Sequence, residues 1–214
     1  CTQAECKKMK RKVIANVLLI LSFVIIILFI QSSYSASRNN SLQPMQASEI
    51  VTISNGILNV TVQSAPNMTG IGTFTIGTWL GHPQQGNEVL FGYPNPDTTY
   101  TTIKVADTDT EYVTSSKNGR GATTASSGYT LKHLDDSNPN VNAEGTKVTV
   151  SWTTSEHLAI TQTIEITGTE LSNTLVRISL KVVNNDEIAH TVGIRYEWDI
   201  KIDGRDGSYL RPWT

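Results

Sequence analysis

The stretch Lys147–Ile166, KVTVSWTTSEHLAITQTIEI, sets Val148, Val150 and Trp152 two residues apart. After a polar break it sets Leu158, Ile160, Ile164 and Ile166 at even spacing as well. Successive side chains of an extended chain point to opposite faces, so each run buries one face and wets the other. The next run, LVRISLKVV, continues the pattern with Val176, Ile178, Leu180 and Val182. Short alternating runs divided by turn residues predict an all-β fold, an antiparallel β-sandwich.

Working outward from this stretch, the pattern persists in both directions. Towards the C-terminus, Val192, Ile194, Tyr196, Trp198, Ile200 and Ile202 share one face, and Arg195, Glu197, Asp199, Lys201 and Asp203 the other. This reads as one long final strand whose apolar face needs a large partner sheet. Few residues follow it, so the chain is expected to be a fragment of a longer protein. Towards the N-terminus, EIVTISNGILNVTV carries Asn55-Gly56 between two apolar runs, a hairpin signal because both residues tolerate positive φ. GIGTFTIGTW, EVLFG, TYTTIKVAD and TEYVT are further short strand signals, and the Gly/Ser/Asn-rich stretch from Ser115 to Ser127 reads as a loop. No helical period appears outside residues 13–30.

That exception reads as a targeting segment. Lys10, Arg11 and Lys12 precede the apolar run Val13–Ile30, and small polar residues follow it. Residues 9–36 are therefore expected to be a signal peptide or, if uncleaved, a helix that anchors the chain in a membrane through residues 13–30. Basic residues stay on the cytoplasmic side, so residues 37–48, a linker, and 49–214, the β domain, are expected outside the cytoplasm, secreted or anchored. Residues 1–8 fit neither segment and are expected to be upstream or non-native, with Met9 as the start. The only two cysteines, Cys1 and Cys6, fall there, leaving a β domain that rests on its core without disulfides.

From Ala36 onward there are 12 Lys and Arg against 18 Asp and Glu, a net charge of −6. A mildly acidic chain without basic clusters excludes nucleic acid as the expected partner. Sequons at Asn39, Asn59 and Asn67 mark candidate glycosylation sites.

Candidate chemistry is sparse. Glu197 and Asp199 are candidate catalytic carboxylates, their Cα atoms about 7 Å apart on one strand face. Neighbours on a strand sit side by side, however, whereas a glycosidase pair flanks the scissile bond, so a solvated charged face is the simpler reading. Asp203 and Asp206 lie in a glycine-rich turn and are candidate calcium ligands, although Arg205 stands where a loop of the EF-hand kind would place a ligand. Asp107 and Asp109, or Asp135 and Asp136, would complete that site; no other cofactor is expected. His82, His133, His157 and His190 lack zinc-ligand spacing and read as solvated turn residues. Among the aromatics, Trp152 and Trp198 fall on apolar strand faces and are expected in the core. Trp79, Tyr93, Tyr100 and Tyr209 lie near turns and are candidate glycan-stacking residues.

GTFTIGT (Gly72–Thr78), VLFGYPNPDTTYTTIKV (Val89–Val105) and HTVGIRYEWDIKIDGRDG (His190–Gly207) together resemble a β-sandwich domain of the mutarotase-like supersandwich type. Such domains are found in prokaryotic multidomain surface and secreted proteins. Arg205 departs from the Asn that the pattern carries before Asp206-Gly207. The resemblance implies a sandwich within a longer surface protein and, having no established activity behind it, assigns no residue a role. The expected function is thus an extracytoplasmic, non-catalytic module of a surface or envelope protein, structural or binding cell-surface or extracellular glycans. The alternatives are a carbohydrate-active enzyme domain using the acids of the last strand, and a pilin-like subunit, the latter lacking a Gly before its apolar run.

Overall fold

The computed structural model describes residues 50–66, 69–115, 124–202 and 205–206, all within the compact unit 47–214. The expected N-terminal helix and linker, the sequons at Asn39 and Asn67, and Asp203 and Tyr209 lie outside the described residues.

The hairpin predicted at Asn55-Gly56 forms between β1 (Ile50–Ser54) and β2 (Leu58–Gln63). Gly56 takes φ of +89°, and the Asn55 Oδ1 accepts the N–H groups of Ile57 and Leu58, both at 3.0 Å. An Asx side chain here replaces the backbone bonds that a tight turn leaves unmade. β3 (Phe74–Thr78) adds to β2 and completes a three-stranded antiparallel sheet. A second sheet runs β11-β4-β5-β6, from β4 (Tyr100–Val105), β5 (Thr110–Val113), β6 (Thr130–His133) and β11 (Val192–Glu197). A third is a meander of neighbours in sequence, β7 (Asn140–Glu144), β8 (Lys147–Thr153), β9 (Leu158–Thr167) and β10 (Leu175–Asn184). All their pairings are antiparallel except β5 with β6, which is parallel. Helix among the described residues is confined to two short 3-10 turns, Ala106–Thr108 and Leu134–Asp136, and no helix there is long and apolar enough to cross a membrane.

The alternating residues that predict these strands fill one core. Val148, Val150, Trp152, Leu158, Ile160, Ile164 and Ile166 are buried, joined by Ile53, Val60, Phe74 and Ile103 from the other two sheets. Each such aliphatic side chain contributes about 1.5–3 kcal/mol when removed from water. One polar side chain interrupts the apolar face of β9: Gln162 is fully buried between Ile160 and Ile164. Its Nε2 donates to the Gly72 carbonyl at 2.7 Å, and its Oε1 accepts from the Thr101 hydroxyl at 2.9 Å. A buried amide costs little when both ends are bonded, and this one ties β9 to β4 and to the turn before β3.

The opposite face of β2 and β3 is buried too, which explains its threonines. The Thr61, Thr73 and Thr75 hydroxyls donate to the carbonyls of Pro94, Pro96 and Leu90 at 2.7–3.0 Å, so the segment 90–98 covers this face as a lid of backbone. EVLFG accordingly forms isolated bridges within this cover and no strand.

The final strand is shorter than its alternation predicts. β11 ends at Glu197; after Trp198 and Asp199 the chain bridges Leu90 at Ile200 and re-enters a small hairpin, β12 (Lys201–Ile202) with β13 (Arg205–Asp206). The segment 89–91 draws the chain away: the Phe91 N–H donates to the Asp199 carbonyl at 2.8 Å and the Lys201 N–H to that of Val89 at 3.1 Å. Lys201 Nζ also pairs with Glu88 at 2.5 Å. Periodicity cannot register this competition, because the bonds that turn the chain come from residues 89–91, outside the alternating run.

Candidate functional site

A pocket of about 420 Å³ opens beside β6, lined by Tyr112, Lys132, His133, Asp136, Thr154 and Ser155 among others. Three segments distant in sequence build it. Tyr112 and Lys132 are register partners on the parallel strands β5 and β6, which places them side by side. Ser155 and Glu156 lie in the turn between β8 and β9, closed by Thr154, which accepts the His157 N–H at its carbonyl, and by His157 at φ +55°.

These side chains form one hydrogen-bonded cluster. Lys132 Nζ donates to Ser155 Oγ at 2.8 Å, to Glu156 Oε1 at 3.1 Å and to the Tyr112 hydroxyl at 3.3 Å. The Tyr112 hydroxyl donates to Glu156 Oε2 and lies 2.9 Å from Ser155 Oγ. Partial burial pushes the Glu156 carboxyl up, but the bonds from Tyr112 and Lys132 outweigh it and hold the group below the usual carboxylate range. Burial likewise pulls the Lys132 ammonium down, and the bonds to Glu156 and Tyr112 carry it above its ordinary value. Both groups are therefore charged at neutral pH and compensate each other. Ser155 Oγ accepts from the ammonium and donates to Glu156 Oε2 at 3.2 Å, a carboxylate already bound by Tyr112 and Lys132, where a nucleophile would need a free base. On the rim, His133 Nδ1 lies 2.6 Å from the Ser115 carbonyl. A carbonyl only accepts, so this nitrogen carries the proton and Nε2 is left as an acceptor in the neutral ring.

A second cluster surrounds His190. Its Nδ1 is 2.6 Å from Asp107 Oδ2 and its Nε2 3.0 Å from Asp186 Oδ2, and its side chain is only 1% exposed. The Thr191 N–H donates to Asp107 Oδ1 at 2.8 Å. Both ring nitrogens can donate only as imidazolium, and the bond to Asp186, then that to Asp107, raises the His190 pKa. The Asp107 carboxyl is lowered by the Thr191 N–H and then by His190, and the Asp186 carboxyl by His190 first. The expectation that all four histidines are solvated turn residues fails here: His190 is a clasp between the 3-10 turn after β4 and the connection from β10 to β11.

The residues singled out in the sequence are not gathered into a site. Tyr100 is buried at 8% exposure with its hydroxyl on the Asp97 carbonyl, so it offers no stacking surface. Tyr93 is half-buried over β3, where a Cβ on Gly77 would fall 2.5 Å from its ring. Its hydroxyl accepts from Asn59 Nδ2 at 3.2 Å. Asn59 is itself buried at 4% exposure, a placement that encloses the amide a glycan would need. Trp79 alone of the described candidates is open, at 40%. Trp198, expected in the core with Trp152, is 47% exposed while Trp152 is buried. Glu197 is exposed at the end of β11, and Asp199 lies beyond it in the bend, so the two do not share a continuous strand. Asp206 belongs to β13, opposite Lys201. Asp107 holds His190, and Asp135 Oδ1 accepts the Ile71 N–H at 2.7 Å. Among the described residues no group of three or more His, Cys, Asp or Glu is arranged to hold a metal.

Comparison of the chain with protein-family models, with curated proteins and with solved structures finds no match.

Proposed function

We propose that the chain is an extracytoplasmic, non-catalytic β-sandwich module of a surface or envelope protein, and that the pocket beside β6 holds a hydroxyl-rich ligand the size of a sugar unit. The carrying observation is the pairing of Lys132 with Glu156 at the pocket. The charges of this pair compensate each other, so neither is left for an ion of opposite sign, whereas a neutral polyol meets donors and acceptors at Lys132, Ser155 and Thr154. A volume of about 420 Å³ falls in the range of small-ligand sites. The ammonium on Ser155, with Glu156 already bound by Tyr112 and Lys132, argues against nucleophilic chemistry.

The reading is tested by screening mono- and oligosaccharides against the full chain by saturation-transfer NMR. At least one neutral sugar is expected to bind, and Lys132→Met with Glu156→Gln, which removes both charges together, is expected to weaken it about tenfold, the scale of one lost charge-assisted bond. A flat screen, or binding indifferent to both substitutions, overturns the pocket assignment. Export is tested separately: the mature N-terminus, read by mass spectrometry, is expected after Ser35 or Ser37 for a cleaved signal or at Met9 for an anchor through residues 13–30.

A further inference from the structure

We propose that the outer edge of β10 is a strand-addition site for an extended segment of another protein that alternates apolar with acidic residues. Among the described residues β10 is last in its sheet and pairs only with β9. Its ten residues present roughly 33 Å of edge, and a strand end of this kind leaves a row of N–H and C=O groups without a ladder partner. The inward residues Val176, Ile178, Leu180 and Val182 pack on the core yet remain only half-buried, whereas their register partners on β9, Ile166, Ile164, Gln162 and Ile160, are buried. The core layer therefore thins out at β10. One more strand would bury its last row of apolar side chains.

The charge on the other face of β10 selects the occupant. Arg177 and Lys181 stand on the outward face on either side of Ser179; Arg177 has Glu165 and Lys181 has Thr161 as register partners on β9, and neither cation makes an ion pair among the described residues. Cross-strand opposite charges stabilise pairing and like charges oppose it. A second copy of β10 added antiparallel about Ser179 would set Arg177 against Lys181 twice, so the edge repels its own kind. A strand with acids at the matching outward positions gains two charge pairs and, with aliphatic residues between them, covers Val176 through Val182. Addition to an exposed sheet edge takes affinity from the backbone ladder and specificity from alternate side chains.

The test uses the purified full chain in mild detergent and three labelled ten-residue peptides read by fluorescence anisotropy. One alternates valine with glutamate, the second carries lysine at each glutamate, and the third repeats the first with N-methylated amides along one edge. The glutamate peptide is expected to bind at least ten times more tightly than the lysine peptide. The N-methylated peptide is expected not to bind, and hydrogen exchange is expected to slow within 175–184 on addition of the first. Arg177→Glu with Lys181→Glu is expected to reverse the preference between the charged peptides. Equal binding of the two charged peptides, retained binding of the methylated one, or protection elsewhere in the chain overturns the proposal. So does a chain that sediments as a dimer at micromolar concentration and tightens on Lys181→Glu, which turns both Arg177–Lys181 repulsions into attractions and would mean that a second copy holds the edge.

Discussion

Gln162 shows how much can hang on a single side chain. Its amide satisfies the Gly72 carbonyl and the Thr101 hydroxyl inside the core. Gln162→Leu keeps approximate volume but strands both partners, and a buried polar group without a bond costs about 1–3 kcal/mol. Urea unfolding of the variant is expected to show a loss in that range, with the slope unchanged. Gly72 has its own constraint: it takes φ of +91°, and a Cβ there would meet the Trp152 ring at 2.4 Å. In its clasp, His190 makes stability depend on pH in a definite direction. Its pKa is raised, so its contribution is complete below the ordinary value of 6.5 and fades as pH rises through the folded value. Those of Asp107 and Asp186 are lowered, so their contributions are complete above the ordinary 3.8 and fade as pH falls through the folded values. Among the described residues His157 also acts on the clasp and favours the Asp186 carboxylate. The melting temperature is expected to rise from pH 8 to pH 6, and His190→Gln is expected to flatten that slope.

At the scale of elements, the threonine-rich face of β2 and β3 and the segment 90–98 are one structure. The segment ends β3's exposure to water, and it fits because Gly77 leaves room for Tyr93. Gly77→Ala forces the ring out or the backbone apart, a misfit of about 1–3 kcal/mol. In the double variant with Tyr93→Ala the two losses are expected to fall short of their sum, since the second change removes the clash that the first creates. Thermal unfolding of the four proteins of the cycle measures this, and strict additivity would mean that Tyr93 does not sit on Gly77. The same scale explains what alternation can and cannot predict. Val148 to Ile166 state their burial in their spacing, because a strand's faces are fixed by its own residues. The division of the final strand at Trp198 is set by bonds from residues 89–91, which no pattern in 192–202 contains.

At the scale of the molecule, the all-β class was legible and the pocket was not. Tyr112, Lys132, Ser155 and Glu156 come from strands and a turn in three places, and no motif links them before β5 and β6 lie side by side. His190 was hidden for the same reason, since Asp107 reaches it across the whole of β5 to β10. The aromatics drew attention by type, yet a tyrosine near a turn is as easily roofed by its own loop, as Tyr93 and Tyr100 are.

The sheet order also carries a history. β7 to β10 follow one another and pair with immediate neighbours, so each of their contacts closes a short loop. β11 joins β4 only after everything between Val105 and Val192 has been gathered, and the entropy of closing a loop grows with its length. Pairings close in sequence are reached sooner than those far apart. In a refolding chain pulse-labelled for hydrogen exchange, the amides of β8 and β9 are expected to become protected before those of β4 and β11, and simultaneous protection would contradict this order. The molecule would then assemble as a seam sewn from its middle, with β11 the last stitch to tighten.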